Sequence, residues 1–155
     1  MKRVAYLFFI SVLLICNQVA ASELRIMENL AMHSKILKQD VHFSVCLPAN
    51  YYVVKQSYPV VYLLHGLGDN ESSWLEYGQI SQYADKAVAG GEIKPMIFIM
   101  PEAFRTYYVN DYKGTFLYQD MFVKELVPYI DSIFRTKRDR QHRALMGYSM
   151  GGFGA

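Results

Sequence analysis

Two short apolar runs constrain this chain most. Pro59-Val-Val-Tyr-Leu-Leu64 and Met96-Ile-Phe-Ile-Met100 carry no charged or amide side chain on either face. A strand that alternates apolar with polar residues can leave one face in water, whereas a continuous apolar strand must be covered on both. The first run stops at His65-Gly66-Leu67-Gly68-Asp69-Asn70, a polar, glycine-rich turn, and the second at Pro101. Helical patterns lie between and after them. Gln79 to Val88 places Ile80, Tyr83, Ala84 and Ala87 at helical spacing and ends at Gly90-Gly91. Phe116 to Phe134 places Phe122, Leu126, Ile130 and Ile133 on one face, with Pro128 expected to kink or divide that helix. Arg143-Ala-Leu-Met146 reads as a third short strand. Upstream, Met32 to Leu37 and the alternating stretch Val41 to Leu47 read as an antiparallel hairpin at a sheet edge. The order hairpin, strand, helix, strand, helix, strand predicts a three-layer α/β fold with a mostly parallel sheet. Ligands of such sheets bind beyond the carboxyl ends of the strands. The loops 65–74 and 101–115 and the segment after residue 146 are therefore expected to converge on one site.

Composition agrees with a packed domain. Of the 155 residues, 52% are hydrophobic and 15% aromatic, which argues against disorder. The sixteen basic side chains include Lys2 and Arg3, so the rest of the chain balances its fourteen acidic ones. Nothing here is an electrostatic footprint for nucleic acid. Lys2 and Arg3 precede an apolar run from Val4 to Cys16 and the small residues Val19-Ala20-Ala21, so residues 1–21 read as a secretory signal. The run is shorter than the ~20 residues of a spanning helix. A stable membrane anchor is thus not expected, and the mature part, residues 22–155, reads as one domain destined for secretion or the periplasm. A lipid-modified Cys16 is disfavoured by the bulk of Ile15. Cys46 then remains alone and reads as a packed thiol within a strand.

The segment after Met146 is Gly147-Tyr-Ser149-Met-Gly151, a G-x-S-x-G pattern entered from an apolar strand and followed by small residues. A serine hydroxyl attacks a carbonyl only when a base removes its proton and the oxygen is presented openly. A sharp strand-to-helix turn does the presenting, and it needs glycine on both sides of the serine. Ser149 is the candidate nucleophile. The backbone N–H of Met150 then faces the developing oxyanion, and Leu67, in the loop after an earlier central strand, is placed to supply the second N–H. His65 admits two readings: a hydrogen-bonding residue that orients this loop, or a catalytic base. Trp74, Tyr107 and Tyr108 are candidates for a pocket wall, since each pairs an apolar ring with a polar tip. Surface packing is the competing reading for these aromatics. Glu102 and Asp111 lie near the expected site without any feature that makes them a triad acid. His33, His42 and His142 read as surface or structural residues. No His, Cys, Asp or Glu grouping has metal-ligand spacing, and Gly66 and Gly68 complete no phosphate-binding pattern.

Taken together, Tyr58-Pro-Val-Val-Tyr-Leu-Leu-His-Gly66, Trp74, Met100-Pro-Glu102, Glu125-Leu-Val-Pro-Tyr-Ile130 and Gly147-Tyr-Ser-Met-Gly-Gly-Phe-Gly-Ala155 resemble one family. It is the esterase branch of the α/β-hydrolases that includes S-formylglutathione hydrolase (esterase D), feruloyl and tributyrin esterases, and mycolyltransferases of the antigen 85 type. The resemblance spans about residues 33 to 155. It implies ester hydrolysis through an acyl-serine on Ser149, without a cofactor, acting on a small-molecule ester. A transferase of the same fold and a non-catalytic binding protein on this scaffold remain as alternatives. The resemblance also implies that the triad acid and histidine lie beyond the elbow. The chain is accordingly expected to be the N-terminal part of such a domain, and to be inactive and poorly soluble by itself.

Overall fold

The computed structural model describes residues 23–155; the signal-peptide reading of residues 1–21 lies outside them. Five strands form one sheet: β1 (Arg25–Ser34), β2 (Gln39–Leu47), β3 (Val60–Leu64), β4 (Ile97–Pro101) and β5 (Arg143–Gly147). Their order across the sheet is β1-β2-β4-β3-β5. The sheet is mixed. β1 pairs antiparallel with β2, and β2 antiparallel with β4, whereas β3 lies parallel to both β4 and β5. The expected edge hairpin is present, but its first strand runs from Arg25 to Ser34 rather than from Met32 to Leu37. The mixed pattern over Arg25–Leu30 hides it in the sequence, because an irregularity between Met27 and Leu30, with Asn29 at φ 53°, breaks the alternation.

The two faces of the sheet sort their residues by the period of two. Val60, Tyr62 and Leu64 of β3, Ile97 and Ile99 of β4, and Phe43 and Val45 of β2 share one buried cluster with Met121, Leu126 and Ile130. Leu63, Phe98, Met100 and Cys46 face the other way, against Ala84 and the partly buried Trp74, Leu75 and Ile80. That second layer is α1 (Ser73–Glu76) and α2 (Ile80–Ala89). Cys46 is fully buried there, and burial pushes its thiol up to about 12, which makes it an inert packing group.

The first layer is one helical segment of three parts: α3 (Tyr118–Met121), a π turn over Phe122–Leu126, and α4 (Val127–Ile133). This is how Pro128 divides the helix. A proline ring collides with the carbonyl four residues back and donates no hydrogen bond. One wide turn, in which the Val127 N–H reaches back to Phe122 O, absorbs the mismatch. The wide turn carries Glu125, whose carboxylate accepts the Ser34 hydroxyl at 2.5 Å and the N–H groups of Lys35 and Ile36 at 3.1 and 3.2 Å. The helical layer thereby holds the turn of the edge hairpin.

Among the described residues β5 is the other edge of the sheet, and its faces are less covered than those of β3 or β4. Leu145 and Met146 are each 44% exposed, and Phe153 beyond them is 69% exposed. Unpaired strand edges and contiguous apolar surface drive association. The 155-residue polypeptide produced alone is expected to self-associate at micromolar concentration, and Leu145→Lys to shift its sedimentation profile toward monomer.

Candidate active site

The parallel register of β3 and β5 sets Leu64 beside Gly147, so the loops that leave both strands start side by side. Ser149 stands between β5 and α5 (Met150–Gly154) with φ 52° and ψ −119°, a conformation that L-residues avoid. Holding a non-glycine residue there costs about 1–3 kcal/mol, which the surroundings must supply. They do so through close backbone contacts. A Cβ on Gly151 would lie 2.1 Å from the Leu64 carbonyl oxygen, and one on Gly147 would lie 2.3 Å from the Gly151 carbonyl. Both positions therefore exclude any side chain. Beside Ser149, the Met150 side chain is 2% exposed and anchors in the core. The Ser149 side chain itself is exposed and makes no capping bond to α5.

The loop after β3 begins with a buried imidazole. His65 is 1% exposed, and both of its ring nitrogens are engaged. The Ala103 N–H donates to Nε2 at 2.9 Å, which requires the Nδ1–H tautomer, and Nδ1–H donates to the Gly66 carbonyl at 2.8 Å. A ring held this way orients the loop and has no free nitrogen for Ser149. The other three histidines are also bonded: His33 to Asp40, His42 to Asn29, and His142 to Asp139. Those bonds all use Nδ1, and among the described residues no histidine is hydrogen-bonded to Ser149. Leu67, the expected second oxyanion donor, lies on the exposed crest of the loop, and its N–H donates to no backbone carbonyl among the described residues.

Glu102 stands next to His65, with Oε1 3.5 Å from Nε2. Burial disfavours the charged forms of both, but the pair and nearby backbone groups outweigh it. His65 is held above the usual histidine value by Glu102 and the Gly66 carbonyl, which favour a proton on Nε2 that would displace the Ala103 N–H. Glu102 is held below the usual carboxylate value by His65 and the Phe104 N–H. Asp111 serves a different purpose. Its carboxylate takes the hydroxyl and N–H of Thr115 and closes the turn at Gly114.

The three expected loops do meet. The Tyr108 hydroxyl donates to the His65 carbonyl at 3.0 Å, so the loop after β4 buttresses the loop after β3. Tyr108 is 6% exposed, and a Cβ on Gly154 would strike its ring at 2.6 Å. Tyr107 is turned outward and packs edge-to-face on Phe153, with ring centroids 5.9 Å apart. Trp74 packs in the same manner on Tyr148 at 5.3 Å. The Tyr148 hydroxyl bonds to Asp69, and burial together with that carboxylate pushes it above the usual tyrosine value, so it stays protonated and donates. Of the aromatic candidates, Trp74 and Tyr107 flank the elbow and Tyr108 supports it from beneath. A separate cleft of about 520 Å³ opens on the hairpin side of the 101–115 loop, between Gln39, Phe104, Arg105 and Phe116. Sequence reasoning left Asp69, Tyr148 and Phe153 out of the site. The only trace of Tyr148 there is its place between Gly147 and Ser149.

The family model whose description is "Putative esterase" matches residues 34–155. The chain belongs to this esterase family. Among curated relatives of this esterase-family chain, an endo-1,4-beta-xylanase/feruloyl esterase of Xylanibacter ruminicola is 41% identical over 120 residues, covering 70% of the chain and 16% of that protein. An esterase of Mycobacterium tuberculosis is 31% identical over 116 residues, covering 72% of the chain and 24% of that protein. Among solved structures, a ferulic acid esterase superposes with a TM-score of 0.79 at 33% identity, covering 86% of the chain and 52% of that structure. A substrate-bound, fluorophosphonate-binding serine hydrolase of Staphylococcus aureus gives a TM-score of 0.71 at 26% identity, covering 85% and 50%. The chain thus spans about half of the solved structures it matches, and these likenesses carry the three-layer α/β-hydrolase fold.

Two outcomes test this geometry. Gly151→Ala is expected to abolish the folded elbow, read as loss of cooperative melting, because the added methyl meets backbone rather than a flexible side chain. The second concerns pH. With Glu102 depressed in the folded state, its stabilisation is present above the unfolded value of about 4.3 and lost as pH falls through the lower folded value. Melting temperatures recorded between pH 3 and 6 are expected to fall less steeply for Glu102→Gln than for the parent protein.

Proposed function

We propose that the protein is a serine carboxylesterase that forms an acyl-enzyme on Ser149. The observation that carries this reading is the φ of 52° at Ser149, held on a turn whose two flanking glycines admit no side chain. Strain of this kind persists where the surrounding structure over-determines it, and it leaves the hydroxyl exposed to a substrate. In this reading the ester carbonyl carbon meets Ser149 Oγ. The carbonyl oxygen gathers charge between the N–H groups of Leu67 and Met150. A general base takes the serine proton and returns it to the leaving alcohol. Collapse of the tetrahedral intermediate leaves the acyl group on Oγ, and water then releases the acid. Export through residues 1–21 is part of the same proposal.

For the acyl group, the reading favours an aromatic acid of the feruloyl kind. Two of the similar proteins bear that activity in their names. On this chain, Trp74, Tyr148, Tyr107 and Phe153 set aromatic rings around the nucleophile, which suits a planar acyl group.

The test uses the product of the complete gene. A fluorophosphonate probe is expected to label the parent protein and not Ser149→Ala. That variant is expected to lose at least ~10⁴-fold in kcat, as removal of a nucleophile does. Methyl ferulate is expected to exceed an acetyl ester of similar leaving group in kcat/KM. Undiminished labelling of Ser149→Ala would sink the nucleophile assignment, and a preference for the acetyl ester would sink the acyl assignment.

A further inference from the structure

The two N–H groups assigned to the oxyanion sit on different segments, Leu67 on the loop after β3 and Met150 on the elbow. Their separation decides whether both can reach one oxygen, and donors of this kind act only within about 2.7–3.1 Å of it. The backbone fixes the elbow side through Gly151 against Leu64. It does less for the crest of the loop. Asp69 closes a turn by donating its N–H to the Gly66 carbonyl at 3.2 Å, with Gly68 at φ 91°, and Leu67 lies inside that turn at 49% exposure.

We infer that the hydrogen bond from the Tyr148 hydroxyl to the Asp69 carboxylate is a clamp that sets the spacing of the oxyanion donors, making Tyr148 and Asp69 positioning residues for catalysis. The inference rests on the serine-esterase reading given above. Each end of this bond lies two residues from a donor: Asp69 follows Leu67 by two, and Tyr148 precedes Met150 by two. The bond therefore ties the crest of the loop to the elbow at the place where neither strand does. Three further features serve it. Gly66 is bare where a Cβ would fall 2.8 Å from the Tyr148 ring and 2.9 Å from the Asp69 carboxylate, so the loop can pass close to both. Trp74 braces the same ring from α1, edge-to-face at 5.3 Å. The Tyr148 carbonyl accepts the Gly151 N–H at 2.9 Å, so the residue that carries the hydroxyl is locked to the turn behind the nucleophile. Tyr148 remains 40% exposed, more than a residue held only for core packing would be.

The test is a double-mutant cycle on the product of the complete gene, using Tyr148→Phe, Asp69→Ala and the pair, with Asp69→Asn as the conservative variant. Tyr148→Phe keeps the ring and loses only the hydroxyl. Each single variant is expected to lower kcat about 10-fold, part of the 10²–10³ that a whole oxyanion donor is worth, with KM changed less than twofold. The double variant is expected to be no worse than either single one, because one bond is lost in all three. Asp69→Asn, whose amide oxygen still accepts, is expected to recover most of the rate. Ser149 is expected to remain reactive to a fluorophosphonate in every variant, at a slower rate. Losses that multiply in the double variant, a change confined to KM, or unchanged kcat in both single variants would overturn the clamp while leaving the serine assignment intact. Absence of labelling in the parent protein would remove the serine assignment and the clamp together. Because Tyr148→Phe is nearly isosteric, a melting temperature within a few degrees of the parent separates loss of positioning from loss of fold.

Discussion

The buried imidazole of His65 is the contact on which the site depends. It is shut off from bulk solvent, so each ring nitrogen must find a partner. It finds them on two segments, its own loop through Gly66 and the loop after β4 through Ala103. The His65 carbonyl takes a third bond from Tyr108. One residue at the end of β3 thus fastens the ends of two parallel strands to each other, and the elbow then closes against the same strand end. A ring used in this way is saturated. The same geometry that makes it a good organiser removes it from proton transfer.

The site is built on steric necessity more than on attraction. Gly147 and Gly151 are required because backbone atoms occupy the space of a side chain, and Ser149 takes a left-handed conformation because those contacts leave it no other. The charged groups nearby, Glu102 and Asp69, act through hydrogen bonds to named donors. They hold loops. The aromatic side chains fall into the same pattern: Tyr108 beneath the loop, Trp74 and Tyr148 beside it, Tyr107 and Phe153 at its mouth.

Much of this was legible in the sequence because it obeys short-range rules. The continuous apolar runs gave β3 and β4, and the G-x-S-x-G spacing gave the turn after β5. The helix interrupted by Pro128 was foreseeable, but its form as a single π turn was not, since that depends on how the freed carbonyls are shared. The start of β1 was missed because the irregularity at Asn29 breaks the period of two. Tyr148 and Asp69 were missed for another reason. They lie 79 positions apart, and a bond between them exists only once β3 and β5 are side by side. No local pattern records a contact that the sheet order creates.

That sheet order has a consequence for the order in which the chain acquires its shape during synthesis. The ribosome releases β1, β2, β3 and β4 before β5, and chains emerge at about 5–20 residues per second. β3 and β4 can therefore pair, with His65 already fastened to Ala103, before the elbow leaves the exit tunnel. The turn at Ser149 then forms against a template that is in place. A nucleophile made after its template spends little time as a strained turn with nothing behind it.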